Sequence, residues 1–201
     1  LVDSAAVGAY LAARVDWRIL PLGLVGLAAG FFYTAPPLKF GYRGFGELGL
    51  LVNFGPVIVL GGYYVQAGRF SVEPLLASLI LGLMMWSMIL VNEIPDYDED
   101  RHAGKLNLVA RFGKQTGLML YSLGLVAAYL VLFLMVIAGV SNPLVLLGLI
   151  SLPWSLHSML VAKRFHDNPL LIAPANLSMI KAHTVMGLGL VVSYLVGGFM
   201  R

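Results

Sequence analysis

Cysteine is absent from this 201-residue sequence, and charged side chains are scarce at 11%. Without cysteine there can be no disulfide, no thiolate nucleophile and no zinc–sulfur site. Soluble domains carry roughly 25% charged residues, so this composition disfavours an ordinary soluble domain. Apolar residues take their place, because 59% of the chain is hydrophobic and the mean hydropathy is +0.87. The composition indicates an integral membrane protein.

The excess of positive charge is small, with a formal net charge of +3. The basic residues are spread over loops between apolar segments, which excludes the single basic stripe of a nucleic-acid-binding protein. A modest positive charge does fit a bilayer with anionic lipids. No signal peptide is recognisable, because the chain begins at Leu1 and Asp3 stands where a basic region would be expected. We expect a piece of a longer protein that begins inside an apolar segment.

Long uncharged stretches mark the membrane spans, because about 20 apolar residues cross the hydrocarbon core. Strand alternation is missing, and backbone groups in lipid must be satisfied internally, so we predict an all-α polytopic bundle. The bundle has six full spans and one partial span. Four full spans lie at 19–38, 48–68, 74–92 and 182–200, and two more are the halves of 115–162, which Ser141-Asn142-Pro143 divides. The partial span is 4–13.

Basic residues are concentrated on one side of this predicted bundle. One side has the loops 36–47, 93–114 and 163–181, and its nine basic residues are Lys39, Arg43, Arg101, Lys105, Arg111, Lys114, Lys163, Arg164 and Lys181. The other side has four, namely Arg14, Arg18, Arg69 and Arg201. The positive-inside rule predicts that the first side is cytoplasmic and that the protein lies in the cell's inner membrane.

Half of the ten acidic residues lie in one short loop, 93–100, directly after a predicted span. If a helix restarts after Pro95, Asp96 and Asp100 are four residues apart and share one face. Two carboxylates on one face can bind Mg²⁺, which also keeps waters and substrate phosphates. Arg101 and Lys105 have the same spacing and would neutralise phosphate oxygens. The alternative is a solvated loop that caps the next helix.

Other kinds of site fit this loop poorly. An EF-hand needs glycine at its sixth position, and the loop lacks it. There is no P-loop lysine motif, no Ser-His-Asp arrangement and no His-Glu-x-x-His motif. A proton-relay transporter places its acids inside spans, whereas these acids lie at span ends. Metal–diphosphate chemistry suits them better, because a carboxylate-bound cation neutralises the departing diphosphate.

Three motifs carry a resemblance to a known family. They are Asp96-x-x-x-Asp100 with Gly104-Lys105-Leu-Asn-Leu and Arg111-Phe-Gly113; Tyr33-Thr-Ala-Pro36-Pro37-Leu-Lys39 with Gly41-Tyr-Arg43-Gly44-Phe-Gly46-Glu47; and Phe54-Gly55-Pro56 with Gly62-Tyr63-Tyr64-Val-Gln66. Together they resemble the UbiA-type intramembrane prenyltransferases, in particular the 1,4-dihydroxy-2-naphthoate polyprenyltransferases of menaquinone synthesis. The spacing from Tyr33 to Lys39 is longer than in the 4-hydroxybenzoate branch, which favours the naphthoate branch.

The resemblance implies a nine-helix bundle in which two aspartate-rich loops bind Mg²⁺ and an isoprenyl diphosphate. It also implies that the allylic diphosphate ionises and that an electron-rich aromatic acceptor attacks. The roles it implies are metal ligation and catalysis for Asp96 and Asp100; support for Asn92 and Asp98; diphosphate contact for Lys39, Arg43, Arg101 and Lys105; and lining of the reactive end of the prenyl chain for Tyr33.

The sequence departs from the family pattern in two places. No first aspartate-rich motif occurs in these 201 residues, so we expect it upstream of Leu1 with two further helices, and we expect little activity from this chain alone. It is then a single prenyltransferase membrane domain, 1–201, without its N-terminal part. Pro95 also stands where a less constrained residue is expected.

Several alternatives stay open at this point. Glu47 either favours the N-terminus of its own helix or belongs to the site, and Asn53 either faces the acceptor or forms an interhelical hydrogen bond. The acceptor could instead be a chlorophyll, haem, homogentisate or glycerol-phosphate lipid precursor. A non-catalytic transporter or lipid-binding protein would use the acidic loop as a cation gate.

Overall fold

The computed structural model describes residues 2–199, which form helices and no strand. This confirms the predicted all-α class; Arg201, used in the charge count, lies outside the described residues. The helices are α1 Val2–Arg14, α2 Leu20–Phe32, α3 Gly46–Val52, α4 Ile58–Ala67, α5 Val72–Glu93, α6 Tyr97–His102, α7 Leu108–Phe112, α8 Lys114–Ile137, α9 Leu152–Phe165 and α10 Pro169–Phe199. Shorter 3₁₀ segments lie at Trp17–Ile19, Phe40–Tyr42 and Pro143–Ser151, and a π-helical segment, Asn53–Val57, joins α3 to α4.

Five helical segments within residues 2–199 are long and apolar enough to cross a membrane. They are Gly46–Ala67, Val72–Glu93, Lys114–Ile137, Pro143–Phe165 and Pro169–Gly198. The sequence predicts a sixth at 19–38, but the apolar helix there is the shorter Trp17–Phe32. Pro36 and Pro37 account for the difference, because proline lacks a backbone N–H and disfavours helical geometry in the residue before it.

Helix α10 begins earlier than the sequence predicts. Its first residue is Pro169, and the side chain of Asn168 accepts hydrogen bonds from the backbone N–H groups of Leu170 and Leu171, each at 3.1 Å. The expected loop at 163–181 is therefore wrong, and only residues 166–168 separate α9 from α10. Lys181 lies within α10 with its side chain exposed, and such a long side chain can carry its charge away from an apolar helix.

The core lies among α5, α8, α9 and α10. Buried residues recur every three or four positions, as amphipathic packing requires. They include Ala77, Ile80, Met84, Ser87 and Val91 on α5, and Ile172, Ala175, Met179, Ala182 and Met186 on α10. The outward faces are also apolar, for example at Leu123, Val126 and Leu130 of α8. Apolar residues on both faces are what a helix between protein and lipid requires.

Buried hydroxyl groups connect the core helices. The Tyr121 hydroxyl donates to Ser158 Oγ at 2.7 Å, and Ser158 Oγ donates to the Ala175 carbonyl at 2.8 Å. The Tyr129 hydroxyl is 2.7 Å from Ser151 Oγ and 2.8 Å from Ser155 Oγ. These bonds join α8 to α9 and α9 to α10, and interhelical hydrogen bonds of this kind stabilise bundles in lipid.

Two glycines allow α5 to approach the α3–α4 segment backbone to backbone. A β-carbon at Gly55 would lie 2.5 Å from the Ser78 carbonyl oxygen, and one at Gly82 would lie 2.6 Å from the Leu51 carbonyl oxygen. Both contacts are with backbone, so no side chain can move aside to relieve them. This close packing sets the start of α3 against the C-terminal end of α5, where the acidic loop begins.

Candidate functional site

The acidic loop and the proline-rich loop meet at one end of the bundle. The backbone N–H of Leu106 donates to the Tyr42 carbonyl at 3.1 Å, and the N–H of Leu108 donates to Glu47 Oε1. The first two sequence motifs are therefore in direct contact, although more than fifty residues separate them in the chain. Glu47 supplies one of the contacts from the first turn of α3.

Helix α6 carries the aspartate pair. A helix restarts after Pro95 as predicted, since Asp96 occupies the N-cap position and the N–H of Asp100 donates to the Asp96 carbonyl at 2.8 Å. The four-residue spacing places both carboxylates on one face. Asp98, two residues along, points to another face, and its carboxylate lies 3.8 Å from Lys114 Nζ. The structure thus gives Asp98 a different partner from the pair it was predicted to support.

Asp100 is held by two neighbours in the turn that follows α6. Its Oδ2 accepts from Lys105 Nζ at 2.9 Å and from Asn107 Nδ2 at 2.6 Å. Asn107 Oδ1 in turn accepts from the N–H of Ala110 at 2.7 Å and so caps α7. Gly104, with φ of 70°, reverses the chain and allows Lys105 to return to Asp100. Asp100 therefore keeps Oδ1 for another ligand.

Arg101 does not share a helical face with Lys105, because α6 ends at His102. That part of the prediction is wrong. One guanidinium nitrogen of Arg101 donates to the Tyr97 hydroxyl at 3.0 Å and to the Ala110 carbonyl at 3.2 Å. Arg101 and Lys114 each lie 5.4 Å from the centre of the Tyr97 ring. Arg101 therefore links α6 to α7 by hydrogen bonds, whereas Lys105 contacts Asp100 of the aspartate pair.

Charge around the aspartate pair is unevenly balanced. Desolvation of its carboxyl group and the negative charge of Asp100 raise the pKa of Asp96 above its usual value, and Lys105 opposes that effect. Burial would lower the pKa of Lys105, but its hydrogen bond and attraction to Asp100 outweigh burial and raise it. One cation thus serves two neighbouring carboxylates, which leaves net negative charge on this face of α6.

These residues fit a magnesium ion that is shared with a phosphate ligand. Asp96 makes no side-chain cap to α6, and Asp100 Oδ1 accepts no hydrogen bond from the described residues, so carboxylate oxygens remain for a hard cation. Among residues 2–199 no group of three or more His, Asp or Glu side chains is placed to hold a metal. Mg²⁺ is commonly bound by one or two carboxylates together with waters and substrate phosphates. The donor set suits that arrangement rather than an all-protein cage.

Lys39 and Arg43 lie on the neighbouring loop, with both side chains exposed. Lys39 has φ of 42°, in the left-handed region, so the segment between the two residues is a 3₁₀ turn rather than an α-helix. In the part of the chain that the structure describes, neither forms an ion pair. Both cations are therefore available to an anion in solution.

Tyr33 borders an apolar cavity of about 400 Å³ that lies beside this end of the bundle. Its ring packs edge-on against Phe40, with 5.5 Å between ring centres. Burial and the nearby Glu93 raise the pKa of Tyr33 above its usual value, so the phenol stays protonated. Asn53 also lines the cavity, and its side chain donates to the Gly49 carbonyl of its own helix at 2.7 Å rather than to another helix. Asn92, one residue before Glu93, is half-buried.

A buried pair of carboxylates, Glu47 and Glu93, was not predicted as a unit. Their side chains are 0% and 3% exposed, and each carboxylate lies within the electrostatic influence of the other. Asn107 was also missed. Two signals in the sequence could have found them. Glu93 follows Leu90 by three residues and so continues the apolar face of α5, and asparagine before an apolar run is typical of a helix N-cap.

The fold and the site together define a class of protein. It is an all-helical membrane bundle with an aspartate pair and an apolar cavity at one end. Within that class, the chain belongs to the UbiA prenyltransferase family, whose model matches residues 3–180. The resemblance drawn from the three motifs is thereby confirmed. The family membership and the apolar spans together make this an integral membrane protein.

Three relatives illustrate the similarity. The chain is 28% identical to the 2-carboxy-1,4-naphthoquinone phytyltransferase of Synechocystis sp. over 89% of its length and 58% of that protein's. It is 29% identical to the 1,4-dihydroxy-2-naphthoate octaprenyltransferase of Bacillus subtilis, over 94% of its own length and 61% of that protein's. The enzyme of the same name from Mycobacterium tuberculosis is 32% identical, over 79% of this chain and 53% of that protein. The chain thus spans between half and two thirds of the length of these relatives. No solved structure matches it.

Proposed function

We propose that this protein transfers a polyprenyl group from an isoprenyl diphosphate to a hydroxylated aromatic acceptor of the 1,4-dihydroxy-2-naphthoate type, in the synthesis of a quinone. The observation that carries the proposal is the pairing of Asp96 and Asp100 beside the apolar cavity at Tyr33, in a chain of the UbiA family. The names of its relatives favour a naphthalene-type acceptor.

The polar end of the site would bind the diphosphate. Asp96 and the free oxygen of Asp100 would hold Mg²⁺, which supplies charge neutralisation for the diphosphate when bound. Lys105 already stands beside Asp100 at 2.9 Å, and the exposed Lys39 and Arg43 face solvent on the adjacent loop. These cations suit a ligand that brings several negative charges. By the positive-inside rule, this end of the protein is cytoplasmic.

The apolar part of the site would take the prenyl chain. Ile58 lines both the cavity at Tyr33 and a second cavity of about 470 Å³ that continues along α4 to Tyr63 and Gln66. Two cavities that share Ile58 along α4 suit a donor whose charged head binds at the aspartate end and whose long tail is apolar. Dry surroundings also protect an allylic cation from water.

In the proposed reaction the bond between prenyl C1 and the diphosphate oxygen breaks, and a bond between C1 and a carbon of the aromatic ring forms. The diphosphate leaves with its negative charge stabilised by the basic residues around Asp100. Tyr33 stands at the cavity wall nearest this end and would face the allylic cation, where an aromatic ring is stabilising.

The test uses the intact protein in membranes, with an isoprenyl diphosphate and a panel of hydroxylated aromatic acceptors. We expect Mg²⁺-dependent formation of a prenylated naphthalene product, detected by mass spectrometry, and its loss in both Asp96→Asn and Asp100→Asn. Glu99→Gln is the matched control, because Glu99 lies on the same short helix with an exposed side chain. Full transfer by both aspartate variants would refute the metal-site assignment. Transfer only to an acceptor of another class would replace the proposed acceptor.

A further inference from the structure

The buried carboxylates of Glu47 and Glu93 lie side by side behind the aspartate pair. Glu47 comes from the first turn of α3 and Glu93 from the last turn of α5, and neither is more than 3% exposed. Glu47 Oε1 accepts from the N–H of Leu108, but Oε2 of each residue has no hydrogen-bond partner among the described residues. Within residues 2–199, each of the two neighbouring carboxylates therefore has a buried oxygen without a partner.

Two carboxylates in contact need a proton or a cation between them, because like charges repel strongly where solvent is excluded. The charged and titratable groups that face the pair are Tyr33, Lys105 and Asp100. Lys105, the cation among them, is already paired with Asp100 at 2.9 Å. Within residues 2–199 no third carboxylate or histidine completes a metal site here. A shared proton is the occupant that these surroundings favour.

Tyr33 connects this pair to the cavity. Its ring lines the cavity wall. A β-carbon at Gly46, the residue before Glu47, would lie 3.4 Å from the Tyr33 hydroxyl oxygen, so the hydroxyl reaches the N-terminus of α3. The phenol thus lines the cavity and is close enough to Glu47 and Glu93 to feel their charge. It can donate its proton inward and accept one from a ligand.

We propose that Glu47 and Glu93 form a proton-sharing pair that takes up, through Tyr33, the proton of the aromatic acceptor's hydroxyl group. The inference rests on the proposed function and adds a proton acceptor to it. As prenyl C1 bonds to the ring carbon and the diphosphate departs, the acceptor's O–H bond breaks. Its proton passes to the Tyr33 oxygen, and the Tyr33 proton passes to the unprotonated carboxylate of the pair.

The proton balance then depends on the acceptor. Where the attacked ring carbon bears hydrogen, that hydrogen leaves as a second proton to solvent and the pair returns its own proton to the ring oxygen. Where it bears a carboxylate, carbon dioxide leaves instead and the resulting enolate takes the proton back. In both cases the pair ends the cycle as it began, and no oxidant or reductant is required.

The kinetic test compares Glu93→Gln and Glu47→Gln with the parent protein in membranes. General-base assistance contributes on the order of 10²–10⁴-fold, so we expect kcat to fall at least about a hundredfold with little change in the KM for the prenyl donor. The rate should recover at alkaline pH, and also with an acceptor whose hydroxyl is already ionised. Glu93→Asp should restore part of the activity. A fall in kcat that neither alkaline pH nor an ionised acceptor relieves would overturn the proposal.

A second measurement does not depend on turnover. Infrared spectroscopy of the resting protein should show a protonated-carboxyl band that disappears in both Glu47→Gln and Glu93→Gln. The band should persist in Glu73→Gln, which removes a span carboxylate at the opposite end of α5. Absence of the band from the parent protein, or a loss of Mg²⁺ affinity in the two Gln variants, would overturn the pair. If the parent transfers no prenyl group, the proposed function fails, while the band still decides whether the proton is shared.

Discussion

Asn107 Nδ2 donates a 2.6 Å hydrogen bond to Asp100 Oδ2, while the other end of the same side chain caps α7 through the N–H of Ala110. One buried amide therefore fixes both the orientation of a proposed metal ligand and the start of the next helix. The relationship explains how the acidic loop keeps its shape although α6 is only six residues long.

Replacing Asn107 should weaken the proposed metal site. In Asn107→Ala, Asp100 loses a donor, and loss of a partner that orients a ligand typically costs 10–100-fold in metal affinity or activity. We expect a rise of that order in the Mg²⁺ concentration that supports half-maximal donor binding. Asn168→Ala is the control, because Asn168 caps α10 at the same end of the bundle without contacting an aspartate. Equal effects of both substitutions would contradict the prediction.

The exposed cations of the proline-rich loop should act on donor binding alone. Lys39→Ala and Arg43→Ala break no ion pair among the described residues, so the thermal stability of the protein should not change. A hydrogen bond to a charged group is worth about 1.5–3 kcal/mol, so each should raise the Kd for the prenyl diphosphate roughly tenfold or more. Lys163→Ala, at the end of α9, tests for a general charge effect. An unchanged Kd in both loop variants would remove these residues from the site.

Binding of Mg²⁺ should weaken as the pH falls. A protonated carboxyl is a poor ligand, and the pKa of Asp96 is raised by desolvation and by the negative charge of Asp100. The loss should therefore begin at a higher pH than for an ordinary aspartate. The same shift means that the unligated protein is destabilised once Asp96 ionises, because a raised folded-state pKa in an acid favours the protonated form. Mg²⁺ titrations and melting curves across the acidic range will measure both effects. Glu99→Gln should shift each midpoint to lower pH, because the negative charge of Glu99 contributes to the raised pKa of Asp96.

Substitution of Gly82 should separate α5 from the α3–α4 segment. An added methyl group in Gly82→Ala would meet the Leu51 carbonyl at 2.6 Å, and overpacking typically costs about 1–3 kcal/mol. We expect a lower thermal midpoint and reduced prenyl transfer together, since the start of α3 carries Glu47. Gly23→Ala in α2 is the control, because its added methyl meets nothing within 4 Å. A stable and active Gly82→Ala variant would show that the helices can move apart freely.

Local spacing was enough to predict the aspartate pair. Asp96 and Asp100 follow a proline at a helix start, and short-range geometry alone places them on one face. Local rules failed where the partner is distant in the chain. The four-residue spacing of Arg101 and Lys105 suggests a shared helical face, but the chain reverses at Gly104 so that Lys105 reaches Asp100. The buried pair of Glu47 and Glu93 comes from two helices that meet only because Gly55 and Gly82 permit close packing.

Charge-free stretches located the spans well but misplaced two ends. The long uncharged run at 19–38 contains Pro36 and Pro37, which end the helix before the apolar residues do. The predicted start of α10 is wrong in the opposite direction: the helix begins at Pro169, before the isolated charge of Lys181. A helix whose neighbours bury Ile172, Ala175 and Met179 continues through an isolated charge when that side chain can point outward.

The 31 residues of α10 would measure about 46 Å, whereas the hydrocarbon core is about 30 Å thick. Lys181 lies roughly 18 Å from the first residue of the helix, at the level where the lipid headgroups would begin. The turns before Lys181 then rise above the hydrocarbon at the end of the bundle that carries α6 and α7. The boundary between water and hydrocarbon would then lie close to the proposed site, and an amphiphilic donor would keep its charged head in water while its tail lay among apolar side chains.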